Sequence, residues 1–488
     1  MRSAFRVQGP ESFMASRSDL ARALLPLMLA AAGCSSDVEI IGHCTLEGDP
    51  VLLALPMGTP SVAVVGERMF VSITRATDSF PQESGAPGSE GFGAWVAGDG
   101  SLLSDVIDFG ASHYFALQRT KWTRTPRGGV VGLVSFDPGR DRDTNPERFL
   151  HRWYIDADRA IPPREIAVDV SAAEGGTENG WTPGLGAYSN FVGVDAIWPT
   201  ADIGGVPYSA FVELPNGTAC ASPLEVLIVG PDEVAVPVKT VDCTNIDTAV
   251  RTATGAPTLF DPGDGTIGAL VRMGGADDIR LRLLRFRPDG TLVAPPRLVG
   301  QGDAQGAASS GGILARVARV PGNRLIVAER DGGGNYCHLL TVMSRDGSDS
   351  ERAPWQPPCV GSESGIVEGQ PRTTWVELAE VPGGAVFIWE EAPYVGLYLT
   401  DSDVWYERIH AVLLTPDGKR GSEIVTVTAP QSTVVGPIGP DEGTNIEQHF
   451  VGHADSDGNH VAVAWSDLRR DAPGLYARHL RCVVDPED

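Results

Sequence analysis

Short apolar runs separated by turn residues cover most of the chain, and long stretches with helical spacing of apolar positions are scarce. That pattern predicts β-strands, whose successive side chains point to opposite faces. Two kinds of punctuation recur along it. The first is a glycine turn before an apolar run, at Gly66, Gly128, Gly205, Gly265, Gly322, Gly384 and Gly458. The second is an Asp/Gly turn after the next run, at Asp99-Gly100, Asp156 to Asp158, Pro231-Asp232, Pro288-Asp289-Gly290, Asp346-Gly347 and Pro416-Asp417-Gly418. Such residues join adjacent antiparallel strands because they tolerate the backbone angles of tight turns.

Between these marks each unit reads strand, turn, strand, loop, strand, turn, strand. Ile279 to Phe286 and Thr291 to Val299 show the last pair plainly. Four short strands recurring about every 60 residues predict an all-β propeller of four-stranded antiparallel blades. Seven glycine marks predict seven blades, with six or eight as alternatives if one unit is degenerate.

Only six units carry the second mark. The seventh, Val451 to Cys482, stops after its third strand, whereas Cys44 to Leu55 reads as a turn and fourth strand lacking the first three. Pairing them closes the ring and removes two open sheet edges. The cysteines agree with this closure. The chain has 7, and setting Cys34 aside leaves an even number, as a disulfide framework requires. Cys220 and Cys243 flank the Pro231-Asp232 turn, and Cys337 and Cys359 flank Asp346-Gly347. Each pair is expected to link the third and fourth strands of one blade, and by the same logic Cys44 pairs with Cys482 across the seam.

Composition narrows the partners. The chain of 488 residues is 42% hydrophobic, enough for a core, and carries a net charge of −25 with an isoelectric point near 4.7. An acidic surface repels phosphate backbones, so no nucleic acid partner is expected. A closed ring is expected to be a monomer.

The N-terminus reads as an address. Ala23 to Ala32 is an apolar run behind Arg17 and Arg22. It is too short to cross a bilayer and fits the apolar part of a signal peptide. Ala31-Ala32-Gly33-Cys34 resembles a bacterial lipobox, although Ala31 stands where leucine is usual. The resemblance implies cleavage before Cys34 and lipidation of that residue, with Ser35 similar to lipoproteins sorted to the outer membrane. Met14 is the more natural start. The organisation expected is a signal peptide at 1–33, a lipid-anchored tether at 34–42, one propeller at 43–482 and a tail at 483–488.

In such a ring the second-to-third strand and inter-blade connections share one face, and every long insert falls there: Thr77 to Phe92, Asp137 to Glu147, Ser171 to Tyr188, Gln301 to Gly311, Glu390 to Glu407 and Pro430 to Glu447. Long loops on a rigid scaffold are where binding concentrates. Several second strands end in an aromatic or apolar residue followed by acid and arginine: Phe136-Asp137 with Arg140, Arg330-Asp331, Trp389-Glu390-Glu391, and Trp465-Ser466-Asp467 with Arg469. The last resembles a W-x-D-x-R motif of bacterial exported propeller proteins. Over about residues 43–482 the chain is similar to propeller lipoproteins of Gram-negative bacteria, which implies an envelope location, on the periplasmic or surface side.

Asp137, Arg140, Asp331, Glu390, Glu391, Trp405, Asp467 and Arg469 are therefore candidates for a binding face. The bland reading is that the tryptophans pack between blades and the acids fix their own loops. Asp455-Ser456-Asp457-Gly458-Asn459 resembles a calcium loop, but its position at a first turn favours a plain turn, and no cofactor is expected. There is no Gly-x-Ser-x-Gly elbow, His-Glu-x-x-His pair, phosphate loop or dinucleotide fingerprint. No complete sialidase-type box occurs either. The expectation is a non-catalytic binder of a protein, peptide or glycan. The alternative is a glycosidase or lyase acting on extracellular polysaccharide through paired carboxylates.

Overall fold

The computed structural model describes residues 40–77, 88–112, 119–136, 149–169, 197–213, 225–238, 251–252, 257–275, 278–299, 315–330, 338–357, 371–393, 408–428, 452–467 and 473–485. They form seven antiparallel blades arranged as a β-propeller. Blade 1 is Thr59–Val65, Arg68–Thr77, Gly88–Val96 and Ile107–Ser112. Blade 2 is Thr123–Arg124, Val130–Phe136, Phe149–Ile155 and Arg164–Ala167. Blade 3 is Thr200–Ile203, Val206–Glu213, Glu225–Val229 and Ala235–Val238. In blade 4 both Arg251–Thr252 and Thr258–Phe260 pair with Ile267–Gly275, which is followed by Asp278–Phe286 and Arg297–Leu298. Blade 5 is Arg316–Val320, Arg324–Arg330, His338–Ser344 and Ser350–Arg352. Blade 6 is Pro371–Val381, Gly384–Pro393, Arg408–Leu414 and Val425–Thr426. Blade 7 is His453–Asp457, His460–Asp467, Gly474–Val484 and, from the other end of the chain, Gly42–Leu52.

Each first strand touches the first strands of both neighbouring blades, so these strands form the inner wall of the ring. The core lies between blades. Ile388, Ile409, Val463 and Trp465 pack blade 6 on blade 7, while Ala328, Leu340, Phe387 and Trp389 pack blade 5 on blade 6. Alternate residues of one strand thus serve opposite clefts, which is why these strands read as continuous apolar runs. Between blades 2 and 3 the fully buried Arg152 crosses the cleft instead. It donates to the carbonyls of Gly230 and Pro207 and lies 3.4 Å from Glu233. Tyr154 donates to the same Glu233. Burial, reinforced by that bond, pushes its hydroxyl pKa up to about 12.

The hairpin turns follow the glycine marks with one adjustment. In blade 6 the turn glycine is Gly383, at φ +89°, and Gly384 already pairs with Val381. A side chain is excluded at Gly384 for a different reason: its Cβ would come within 2.3 Å of the Leu414 carbonyl oxygen. Two expected inserts are also shorter than read, since Gly88 to Phe92 and Glu390 to Pro393 belong to strands.

The seam closes as expected. Gly42–Leu52 runs antiparallel to Gly474–Val484, with Cys44 opposite Cys482 and a disulfide between them at a Cα separation of 4.1 Å. The register slips between Glu47 and Val51, around Gly48 at φ +76°. The Arg478 guanidinium fills that irregularity by donating twice to the Gly48 carbonyl and once to that of Val427. The Cys220–Cys243 and Cys337–Cys359 pairs and Cys34 lie outside the described residues.

Candidate functional site

Each first strand starts on the face of the long connections and ends at the tight turn to its second strand, so its side chains can be placed by height in the inner wall. In blade 7 the alternate residues His453, Asp455 and Asp457 share one strand face. All three reach blade 1. His453 Nδ1 accepts from the Val62 N–H at 3.1 Å, Asp455 from Val64 at 2.9 Å and Asp457 from Gly66 at 2.7 Å. Three side chains thereby supply the acceptors that another strand would provide. Asp457 also pairs with Arg124 at 2.7 Å. Burial raises the Asp455 carboxyl above its ordinary pKa, against the pull of Arg124 and the Val64 N–H. The residues that resemble a calcium loop therefore act as an inter-blade ladder.

At the long-connection end, polar side chains from three successive first strands meet. Arg316 Nε lies 2.7 Å from Glu377 Oε1, and His453 Nε2 lies 4.0 Å from the same oxygen. Because His453 Nδ1 accepts a backbone hydrogen, its ring proton sits on Nε2 and faces the carboxylate. Nearer the tight turns, Arg319 makes a two-point contact with Glu380 at 2.8–2.9 Å and approaches Asp261 at 3.9 Å. Hydrogen bonding to Glu380 raises the Arg319 pKa despite its burial. These groups bind blades to one another. Glu377 and His453 are 2% and 1% exposed, so they form wall and do not present reagents to a solute.

Of the expected binding-face residues, the described ones are Glu390, Glu391 and Asp467. Glu390 and Asp467 are buried at the ends of their second strands. Glu390 shares a strand face with Val386 and Ile388, and Asp467 with Val463 and Trp465, so both sit on the sides of blades 6 and 7 that face each other. Glu391 lies on the opposite side, toward blade 5, with Trp389 and His410. The structure thus divides these acids between two clefts. The indoles of Trp389 and Trp465 are each 1% exposed and pack between blades. Asp137, Arg140, Asp331, Trp405 and Arg469 lie outside the described residues. Arg316, Glu377 and His453 were not among the sequence candidates, and neither was the buried Glu329. Their signal was present: charged residues inside otherwise apolar runs, spaced by two in His453, Asp455 and Asp457.

His410 is the most strongly perturbed histidine of this region. Burial, with Arg408 adding to it, holds its pKa down to about 4. Glu391 faces it at 3.8 Å from the same blade, Thr426 Oγ1 is 3.2 Å from its Nδ1, and Trp389 lies against its ring at 5.2 Å. Burial raises the Glu391 pKa, so the pair gains little from ionising. An unfolded histidine takes its proton near pH 6.5, whereas the folded one waits until about 4. The unfolded state binds more protons across that window, and folding stability falls as pH falls through it. Native protein should lose about 2 kcal/mol more stability between pH 7 and 4 than His410→Phe. Denaturant melts of both at each pH measure the difference; equal slopes would contradict the assignment.

No protein-family model matches the chain, and no curated protein matches it. Among solved structures, a protein of unknown function from Dyadobacter fermentans is 9% identical with a TM-score of 0.42, covering 90% of this chain and 99% of its own. A puromycin hydrolase is 15% identical with a TM-score of 0.44, covering 91% of this chain and 58% of its own. A Hadza microbial sialidase is 11% identical with a TM-score of 0.41, covering 83% of this chain and 74% of its own. Likenesses of this degree assign no chemistry to the residues above. The class defined is that of a seven-bladed β-propeller closed by its N-terminal strand.

Proposed function

We propose that this protein is a lipid-anchored propeller of the bacterial cell envelope that binds a protein, peptide or glycan through the face of its long connections, without catalysis. What supports the reading is the contrast between the two faces of the ring. First and second strands are joined tightly, as between Val65 and Arg68, Ile203 and Val206, or Asp457 and His460. The longer separations in sequence fall between blades, where the flanking strands end and begin at the other face, as between Ala167 and Thr200 or Thr426 and His453. A ring whose long connections leave from one side is suited to presenting them to a partner. Charged groups of the inner wall are engaged in holding blades together, which suits a scaffold.

The test is a glycan array together with a pull-down from envelope proteins, using native protein and a variant in which residues 431–447 are replaced by a short Gly/Ser link. Retention of one ligand class by the native protein and its loss in the variant is the expected result. Turnover of a polysaccharide that disappears in Glu390→Gln or Asp467→Asn would overturn the reading in favour of a glycosidase or lyase. Lipidation is checked separately, by intact mass of detergent-extracted protein and its shift in Cys34→Ala.

A further inference from the structure

The place where the N-terminal strand joins the ring carries a mechanical consequence. The Cys482 N–H donates to the Asn459 carbonyl in the tight turn of blade 7. A Cβ on Gly383, in the tight turn of blade 6, would come within 2.7 Å of the Val484 side chain. Gly42 pairs with Val484. The first described residues, Ile40 to Gly42, therefore stand at the tight-turn face of the ring, where Ile41 and Gly42 donate to the Gly421 carbonyl. Gly42↔Val484, His43↔Val483 and Cys44↔Cys482 are the first pairs of the seam reached from that side. A pull on the preceding chain loads these pairs one after another, since antiparallel strands pulled from one end separate by peeling. Backbone bonds that break singly resist weakly, each contributing on the order of 1 kcal/mol.

We propose that the Cys44–Cys482 bond is a mechanical lock that transfers load from the tether into the third strand of blade 7 before the seam peels. The lock rests on reading residues 34–42 as the tether of an anchored protein. Its position near the start of the strand suits it to this role. At the third pair it intercepts the load almost at once. Set near Leu52, it would leave most of the strand free to open. Behind it, the seam is held by the Arg478 contacts to Gly48, and Leu53 donates to the Leu475 carbonyl. Blade 7 also remains attached to blade 1 through the His453, Asp455 and Asp457 ladder, and Ser466 bonds Gly58. Loss of the lock is therefore expected to free the strand without opening the rest of the ring.

Single-molecule pulling tests this, with one handle inserted between Ser36 and Asp37 and the other in the Asp346-Gly347 turn of blade 5. In Cys44→Ala/Cys482→Ala an early low-force event should appear, lengthening the chain by about 4 nm as the 11-residue strand Gly42–Leu52 is extended. Native protein should show no such event, and should acquire it in a phosphine reductant. An identical first event in native, reduced and variant protein would overturn the lock. Intact mass of the extracted protein distinguishes the two readings. Acylated Cys34 without a difference in force leaves the anchor and removes the lock; a difference in force with unmodified Cys34 does the reverse.

Discussion

Cys44→Ala/Cys482→Ala is expected to lower the free energy of unfolding by about 4 kcal/mol. The bond joins residues separated by 438 positions, so it restricts nearly the whole unfolded chain. The loop-entropy model assigns roughly 6 kcal/mol to a closure of this length, and engineered and natural cases commonly deliver less. Both sulfurs belong to the apolar cluster between blades 6 and 7, at 6% and 1% exposure, and alanine keeps those positions apolar. Because either substitution alone breaks the bond, Cys44→Ala and Cys482→Ala should each cost nearly as much as the pair. Denaturant midpoints of the two single variants and the double variant decide it. Additive losses, or a loss below about 1 kcal/mol in the double variant, would contradict a seam held this way.

The second large effect lies in the inner wall. Arg316→Met should destabilise the protein by about 3–5 kcal/mol, because it leaves the Glu377 carboxylate buried without its cation. The side chains of the pair are 10% and 3% exposed. His453 remains 4.0 Å from Glu377, too far to replace the guanidinium contact. Arg316→Met/Glu377→Met removes both charges and should recover most of the loss, since a buried pair replaced by apolar groups is often neutral. A small loss in the single variant, or an additive one in the double, would mean that the two charges do not depend on each other.

The repeat and its closure were legible because they depend on local chemistry. Turn glycines at Gly66, Gly128, Gly265 and Gly458 adopt positive φ angles, and a sequence announces such positions directly. The seam was legible because an incomplete unit at each end leaves one solution that satisfies both edges. Even there the resolution was limited to a residue: in blade 6 the turn glycine is Gly383, and both adjacent glycines are required for separate reasons. The inner wall was not legible. Arg316, Glu377 and His453 come from three different blades, and nothing local shows that strands about 60 residues apart stand side by side. The acids at second-strand ends were found by motif, but their sides were not. Strand alternation places Glu390 and Asp467 in one cleft and Glu391 in another, which one sequence position decides.

Closure of the ring by its own N-terminal strand is tested most directly by peptide mapping of the non-reduced protein. Digestion of the native protein should release a single linked species joining the peptide of Cys44 to the peptide of Cys482, which separates on reduction. Cys44 recovered as a free thiol, or linked to Cys220, Cys243, Cys337 or Cys359, would contradict the closure.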